Sequence, residues 1–318
     1  MVRFTVLASG SKGNSTVVSG GKTRILVDCG LSCKETFRRM RLAEEEPETL
    51  DAILITHEHS DHVNGVAVTA RKLGIPVYFT EGTHRAWMRW LTPRKQMTYA
   101  QWMEQCRKQA AERQAEAETT AQESEPDEAD LVESANVPEE AAEPVKTKDP
   151  TWLPSVEYFR AGEPFEIGDI AVSPFTIPHD AADPVGFVFR AEGVRMAFAT
   201  DLGYISPNVR AQLQGVDLLL LESNHDIEML RDGPYPWAVK QRVLSRVGHL
   251  SNEAAAGFLE DGYDGQAAYV ILAHLSESNN LPELARVAAE RALNGRASLL
   301  ANLLLLAKQD EPLSPIYF

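Results

Sequence analysis

Five apolar runs of this chain each lead to a side chain that can bind a metal or move a proton. DAILIT runs into His57, AVSPFTIP into His179, MAFAT into Asp201, VDLLLL into Glu222 and AYVILA into His274. Short continuous apolar runs are the pattern of strands buried on both faces, and here they alternate with helical patterns, which predicts an α/β fold class. In such architectures sites gather beyond the carboxyl ends of the strands, so the five endpoints should share one edge of the molecule. A hairpin opens the chain: RFTVLAS, the turn SGSKGNS, TVVS and then RILVDCG.

With 318 residues, 44% of them hydrophobic and 24% charged, the chain can bury a full core, which excludes a wholly disordered or fibrous protein. No run reaches the ~20 uninterrupted apolar residues of a membrane span; the nearest, SLLANLLLLA, is broken by Asn302. The first residues turn glycine-rich too early for a secretory signal. Three cysteines, Cys29, Cys33 and Cys106, make no disulfide framework. The expectation is a cytoplasmic protein with no membrane partner. Net charge is −15, which taken alone argues against a polyanionic partner, but residues 111–150 carry −10 of it and leave the body nearly balanced.

That acidic stretch contains no aromatic residue and is rich in Ala, Glu and Pro, a composition that cannot offset its ordering entropy by burial. We expect a single domain over 1–318 with an insertion at 95–150. Within it a helix should run over about 95–118, where Tyr99, Trp102, Met103 and Cys106 share a face, followed by a disordered stretch over about 120–150.

The sharpest local signal is ITHEHSDHVNGV, which puts His57, His59, Asp61 and His62 within six residues of one another directly after a strand. Four donors in so tight a loop would crowd one ion. Two adjacent ions relieve this, one taken by His57 and His59, the other by Asp61 and His62. His179, Asp201 and His274 can complete them, Asp201 as a bridge. Imidazole and carboxylate without thiolate suits zinc, manganese or iron in a two-metal hydrolase, where ions about 3.5–4 Å apart polarise the substrate and hold a hydroxide.

THEHSDH, with a later strand-end His, Asp and His, resembles the metallo-β-lactamase superfamily. The resemblance implies an αββα sandwich with the dinuclear site at one edge. By that pattern His57, His59 and His179 bind the first metal, Asp61, His62 and His274 the second, and Asp201 bridges. LLLLESNHD, GHLSNEAAAGFL and ILAHLSESNN resemble the tRNase Z branch, in which a Glu and a His, here Glu222 and His249, pair as the leaving-group acid. SGSKGNS, ILVDCGLSCK, PHDAADPVGF, ATDLGY and AHLSESNN together resemble the YycJ-type (WalJ or VicX) family, metal-dependent 5′-to-3′ exodeoxyribonucleases; the acidic insertion departs from that pattern. Only 52 residues separate Glu222 from His274, too few for an inserted domain of about 100 residues such as RNase J-type enzymes carry. The 22 residues from His179 to Asp201 leave no room for a long tRNA-grasping arm.

The expected activity is a phosphodiesterase, an exonuclease on DNA in repair or a related pathway with RNA as the second possibility, using two zinc or manganese ions. Asp61, Glu222 and His249 are its catalytic candidates. His249 as imidazolium beside Glu222 would protonate the departing alkoxide; the bland alternative is that it caps the helix entered at Ser251 and Asn252. Candidate substrate contacts are Ser11, Lys12 and Asn14 in the glycine-rich turn, which could aim N–H groups at a phosphate, and His225, which either meets phosphate or is exposed. Asp28 is read equally as an orienter of a ligand histidine or a turn cap. Trp87 and Trp90 read as half core and half solvated face, with base stacking the alternative. Rival functions are a thioester or small-ester hydrolase on the same metals, which needs no Glu222–His249 pair, and a non-catalytic, metal-stabilised regulatory scaffold.

Overall fold

The computed structural model describes residues 1–92, 149–294 and 302–318. Residues 1–91 with 151–318 form one compact unit and 92–150 a second. The expected helix and disordered stretch lie outside the described residues, apart from Asp149 and Pro150.

Each of the five apolar runs that lead to a candidate site residue contributes a strand to one of two sheets of the first unit. The first sheet has the order β14-β1-β2-β3-β4-β5-β6, built from β1 (Arg3–Ala8), β2 (Ser15–Ser19), β3 (Arg24–Val27), β4 (Ala52–Leu54), β5 (Val77–Thr80), β6 (Val156–Phe159) and β14 (Ile316–Tyr317). The second has the order β13-β12-β11-β10-β9-β8-β7, from β7 (Phe165–Ile167), β8 (Ile170–Thr176), β9 (Val185–Ala191), β10 (Val194–Ala199), β11 (Leu218–Glu222), β12 (Tyr269–Ala273) and β13 (Leu303–Leu306). The two share one layout. β14 through β3 pair antiparallel and β3 through β6 parallel; β7 through β10 pair antiparallel and β10 through β13 parallel.

Pleat alternation explains why the parallel strands are apolar throughout. Along β11, Leu218 and Leu220 face the layer between the sheets, where they join Phe187, Phe189 and Phe198 from the same sheet and Phe4, Ile25 and Leu54 from the other. Leu219 and Leu221 point outward to Ala255, Leu259 and Ala289 of the covering helices. On the far side Leu26, Ile53 and Phe79 meet Met40, Val66 and Trp87. Helices thus cover both outer faces, giving the αββα sandwich. Trp87 is buried against Phe79, while Trp90 of the same helix is 54% exposed, the divided role its spacing suggested.

Local chemistry sets the element ends. Glu192 and Gly193 (φ 49° and 84°) make the two-residue turn between β9 and β10, the positive-φ turn whose twist matches a hairpin. Ser32, Ser206, Asp226 and Ser251 each accept a backbone N–H from the first turn of the helix that follows. Among the described residues no helix is long and apolar enough to cross a membrane.

Candidate metal centre

The strand ends of both sheets deliver the predicted ligands to one edge. The loop after β4 carries His57, His59, Asp61 and His62, with Asp61 and His62 on the short helix Ser60–Val63. This loop is clamped against the hairpin: Asn14 N–H donates to the Asp61 carbonyl at 2.7 Å. A Cβ at Gly30 would lie 1.7 Å from that same carbonyl oxygen, so only glycine permits the approach. His179 follows β8, Asp201 follows β10, Glu222 ends β11 and His274 follows β12.

Three strand-end residues of the site, Asp28, Asp201 and His274, have left-handed backbone (φ 57°, 60° and 58°). Such conformations cost of order 1–3 kcal/mol for a non-glycine residue and gather at functional sites. At His274 the surroundings that hold the bend are explicit. Its N–H donates to Ser9 Oγ at 2.7 Å and its carbonyl accepts Asn224 Nδ2 at 2.8 Å.

The ligand atoms fall into sets within 4.8 Å of one another: His57, His59 and His179; Asp61, His62 and His274; and His57, His62 and Asp201, which joins the first two. Most of the imidazoles are committed at Nδ1, which leaves Nε2 for a cation. His57 Nδ1 lies 3.0 Å from Thr56 Oγ1, His62 Nδ1 2.8 Å from Asp28, His179 Nδ1 3.1 Å from the Gly248 carbonyl and His274 Nδ1 2.9 Å from Glu222. His59 differs by presenting Nδ1, 3.2 Å from His179 Nε2. His57 Nε2, His274 Nε2 and Asp201 Oδ2 are buried with no hydrogen-bond partner. Leaving such atoms unsatisfied costs about 1–3 kcal/mol each. Divalent cations, which these nitrogens and oxygens are suited to ligate, resolve the orphaned set, so the residues present fit the group that the motif implied.

The electrostatics of the two triads differ. Burial pushes His57 and His179 below the ordinary histidine range, so both are neutral. Burial opposes charge on His62 and His274 too, but Asp201 with Asp28 or Glu222 outweighs it and raises both. Burial likewise works against charge on Asp61, yet the His62 and His274 rings hold its carboxyl far below the usual range.

Glu222 is completely buried and fully occupied. Oε1 meets His249 Nδ1 at 2.8 Å and His274 Nδ1 at 2.9 Å, while Oε2 accepts the N–H groups of Leu202 and Leu250 at 2.6 and 3.1 Å. Sequence reasoning paired it with His249 alone; it also orients the candidate ligand His274. His249 is raised above the ordinary range because Glu222 outweighs burial. Its capping alternative does not hold, since the helix Asn252–Gly257 is capped by Ser251, whose Oγ accepts the Ala254 N–H at 3.1 Å.

The expected substrate contacts fare differently. The N–H groups of Gly10 and Lys12 bond Asn14 Oδ1 and Gln309 Oε1, both at 2.8 Å, and that of Gly13 bonds the Gly10 carbonyl, so these groups are already spent and the turn does not cradle a phosphate through them. Asn14 is buried, with Nδ2 3.2 Å from Asp61 and 3.0 Å from His62. It steadies two candidate ligands, a role different from the substrate contact expected of it. Ser11 lines the pocket over the cluster, and Lys12 pairs with Glu277 at 2.7 Å beside it. His225 is buried at 1% exposure, pushed down to about 4 by burial, and is neither exposed nor part of the pocket lining. Of the two roles expected for Asp28 the structure shows the first: its carboxylate bonds His62 and the Thr56 N–H, the latter at 2.9 Å and 28 residues away, rather than capping its own turn. Sequence reasoning missed Thr56, Asp180, Tyr235 and Arg242. Thr56 and Asp180 each adjoin a candidate ligand histidine, a signal that was available; Tyr235 and Arg242 carry none.

Comparison with known proteins agrees with this geometry. Residues 8–239 match the family model of the metallo-beta-lactamase superfamily. The chain is 35% identical over 292 residues to exodeoxyribonuclease YycJ of Bacillus anthracis, covering 92% of this chain and 89% of that one. It is 33% identical over 285 residues to exodeoxyribonuclease WalJ of Streptococcus pneumoniae, covering 90% and 86%. Among solved structures, Zn2+-bound PqqB from Methylobacterium extorquens shares the fold, with a TM-score of 0.62 at 15% identity over 98% of this chain and 99% of that one. On the sequence match, the shared architecture and the ligand set at its edge, this chain belongs to the metallo-beta-lactamase superfamily.

Proposed function

We propose that this protein is a dinuclear metal-dependent phosphodiesterase, a 5′-to-3′ exodeoxyribonuclease. The observation that carries the reading is the Glu222–His249 pair at the rim of the ligand cluster, a device that thioester or lactam hydrolysis does not need. It occurs in a chain aligned over nine-tenths of its length with relatives named exodeoxyribonucleases. The direction of digestion follows the YycJ-type motifs, and the free, buried Cys29 and Cys33 suit the reducing cytoplasm.

His57, His59 and His179 would hold one ion, Asp61, His62 and His274 a second, with Asp201 between them; zinc and manganese both suit these donors. Bound there, the ions supply Lewis acidity toward a phosphoryl oxygen and lower the pKa of water. The chain's own residues supply the rest. Asp28, Thr56, Gly248 and Glu222 fix the ligand tautomers. A departing alkoxide is a strong base, and His249, kept charged by Glu222 at Nδ1, can give a proton from Nε2. Because Glu222 also holds His274, the proton donor keeps a fixed register with the second triad.

His249→Ala should lose about 10²–10⁴-fold in turnover on DNA with both metals retained. A nitrophenyl phosphodiester, whose leaving group needs no proton, should lose far less. Equal losses on the two substrates would count against the assignment. End-labelled DNA and RNA, with each divalent metal added back after chelation, test direction, sugar preference and metal.

A further inference from the structure

The pocket over the ligand cluster encloses about 250 Å³, below the range that takes a whole drug-sized ligand. The lining divides by chemistry. His59, Asp61, Asp201, His249 and His274 belong to the site already described; Tyr235, Val239, Arg242 and Val243 come from the segment around the helix Trp237–Val243 and do not.

That helix is unusual in how little of it the core uses. Only Lys240 is buried and Val243 half-buried. Even so, its position is set from two sides. Lys240 Nζ donates to the Arg231 carbonyl at 2.6 Å. Arg242 grips Asp180 through Nε and, at 3.1 Å, Nη2, and Asp180 is the residue after the ligand His179. Among the described residues lining the pocket, Arg242 is the single Lys or Arg. Its side chain is 57% exposed, and none of the hydrogen bonds found among the described residues engages Nη1. A guanidinium whose fork is half spent on a carboxylate and half open to solvent, beside a cluster that takes a phosphodiester, is placed to take a second phosphate. The apolar Val239 and Val243 with the ring of Tyr235 supply a wall that no core packing requires.

Resting on the exonuclease reading, we propose that Tyr235–Val243 is the subsite for the nucleotide next to the scissile bond. Arg242 holds that nucleotide's phosphate, and Tyr235, Val239 and Val243 pack on its sugar and base. Asp180 is a positioning residue that presents the guanidinium.

The test compares wild type, Arg242→Ala, Arg242→Lys and Tyr235→Ala, each with metal content verified. Substrates are a single-stranded DNA oligonucleotide and bis(4-nitrophenyl) phosphate, which has no second phosphate. Arg242→Ala should raise KM for the oligonucleotide by about 10–100-fold, the loss of a charged hydrogen bond. Its loss of kcat/KM there should exceed the loss on the small diester by at least about tenfold. The slope of log affinity against log salt should fall by about 0.7, one phosphate on a single strand. Arg242→Lys should recover part of the slope but less of the KM, since it keeps the charge and lacks the fork. Tyr235→Ala should raise KM without changing the slope. Equal losses on both substrates with an unchanged salt slope would overturn the subsite while leaving the exonuclease reading in place. A wild-type enzyme that degrades no DNA with any divalent metal would overturn that reading itself.

Discussion

Asp28 shows how much a single carboxylate outside the ligand set can decide. It is fully buried, bends the backbone after β3 into the left-handed region, and fixes the His62 ring. Asp28→Asn keeps an acceptor for the Thr56 N–H but removes the charge. Partners of this kind typically contribute 10–100-fold to metal affinity. We expect about that loss at the Asp61, His62 and His274 triad alone, read by chelator competition; equal weakening of both triads would mean a general structural role. The triads also predict opposite proton traffic. Burial holds His57 and His179 toward the neutral form, so these two release few protons when their site fills. His62 and His274 carry raised pKa values, hold protons in the metal-free protein at neutral pH, and must give them up to bind an ion. Affinity at the second site should therefore rise with pH more steeply than at the first, with proton release visible by calorimetry in buffers of different ionisation enthalpy. The sign for folding is the reverse: a raised folded-state pKa contributes stability below the ordinary histidine range that is lost as pH climbs through the raised values. The melting temperature of the metal-free protein should fall across that window.

At the scale of elements, strands and ligands were readable because one physical cause writes both. A strand buried on both faces must be apolar throughout, as Leu218 to Leu221 are, and the first ionisable residue at its end stands out. Hence His57, His179, Asp201, Glu222 and His274 could be picked from the sequence. The glycine-rich turn misled because turn chemistry does not say where its N–H groups point; here those of Gly10 and Gly13 are spent within the turn and those of Lys12 and Asn14 on Gln309 and the Asp61 carbonyl. The helix Trp237–Val243 was silent for the opposite reason. It has almost no buried face, so no periodicity marks it, and its relation to the site depends on the contact of Arg242 with Asp180, 62 residues away in sequence. Capping offers a test at this scale. Ser251→Ala should destabilise by about 0.5–2 kcal/mol while leaving metal content and His249 chemistry intact. Loss of turnover at normal metal content would mean that the cap also sets the His249 loop.

For the whole molecule, charge is concentrated where the sequence is least core-like: residues 111–150 carry −10 of the net −15. Deleting 120–148 removes none of the proposed ligands and should leave metal content unchanged. It should tighten DNA binding most at low ionic strength, since repulsion acts over about 10 Å at 0.1 M salt. A loss of activity at every salt concentration would make that stretch an integral part of the enzyme. The shared layout of the two sheets has another outcome. Each triad draws on both: His57 and His59 wait for His179, Asp61 and His62 for His274. Proteins are made from the amino terminus at about 5–20 residues per second, so a growing chain has no second triad until residue 274 of 318 has left the ribosome. A chain still short of residue 274 therefore lacks half of the proposed two-ion site, so dinuclear chemistry at this edge can begin only after the central parallel strands of both sheets have been made.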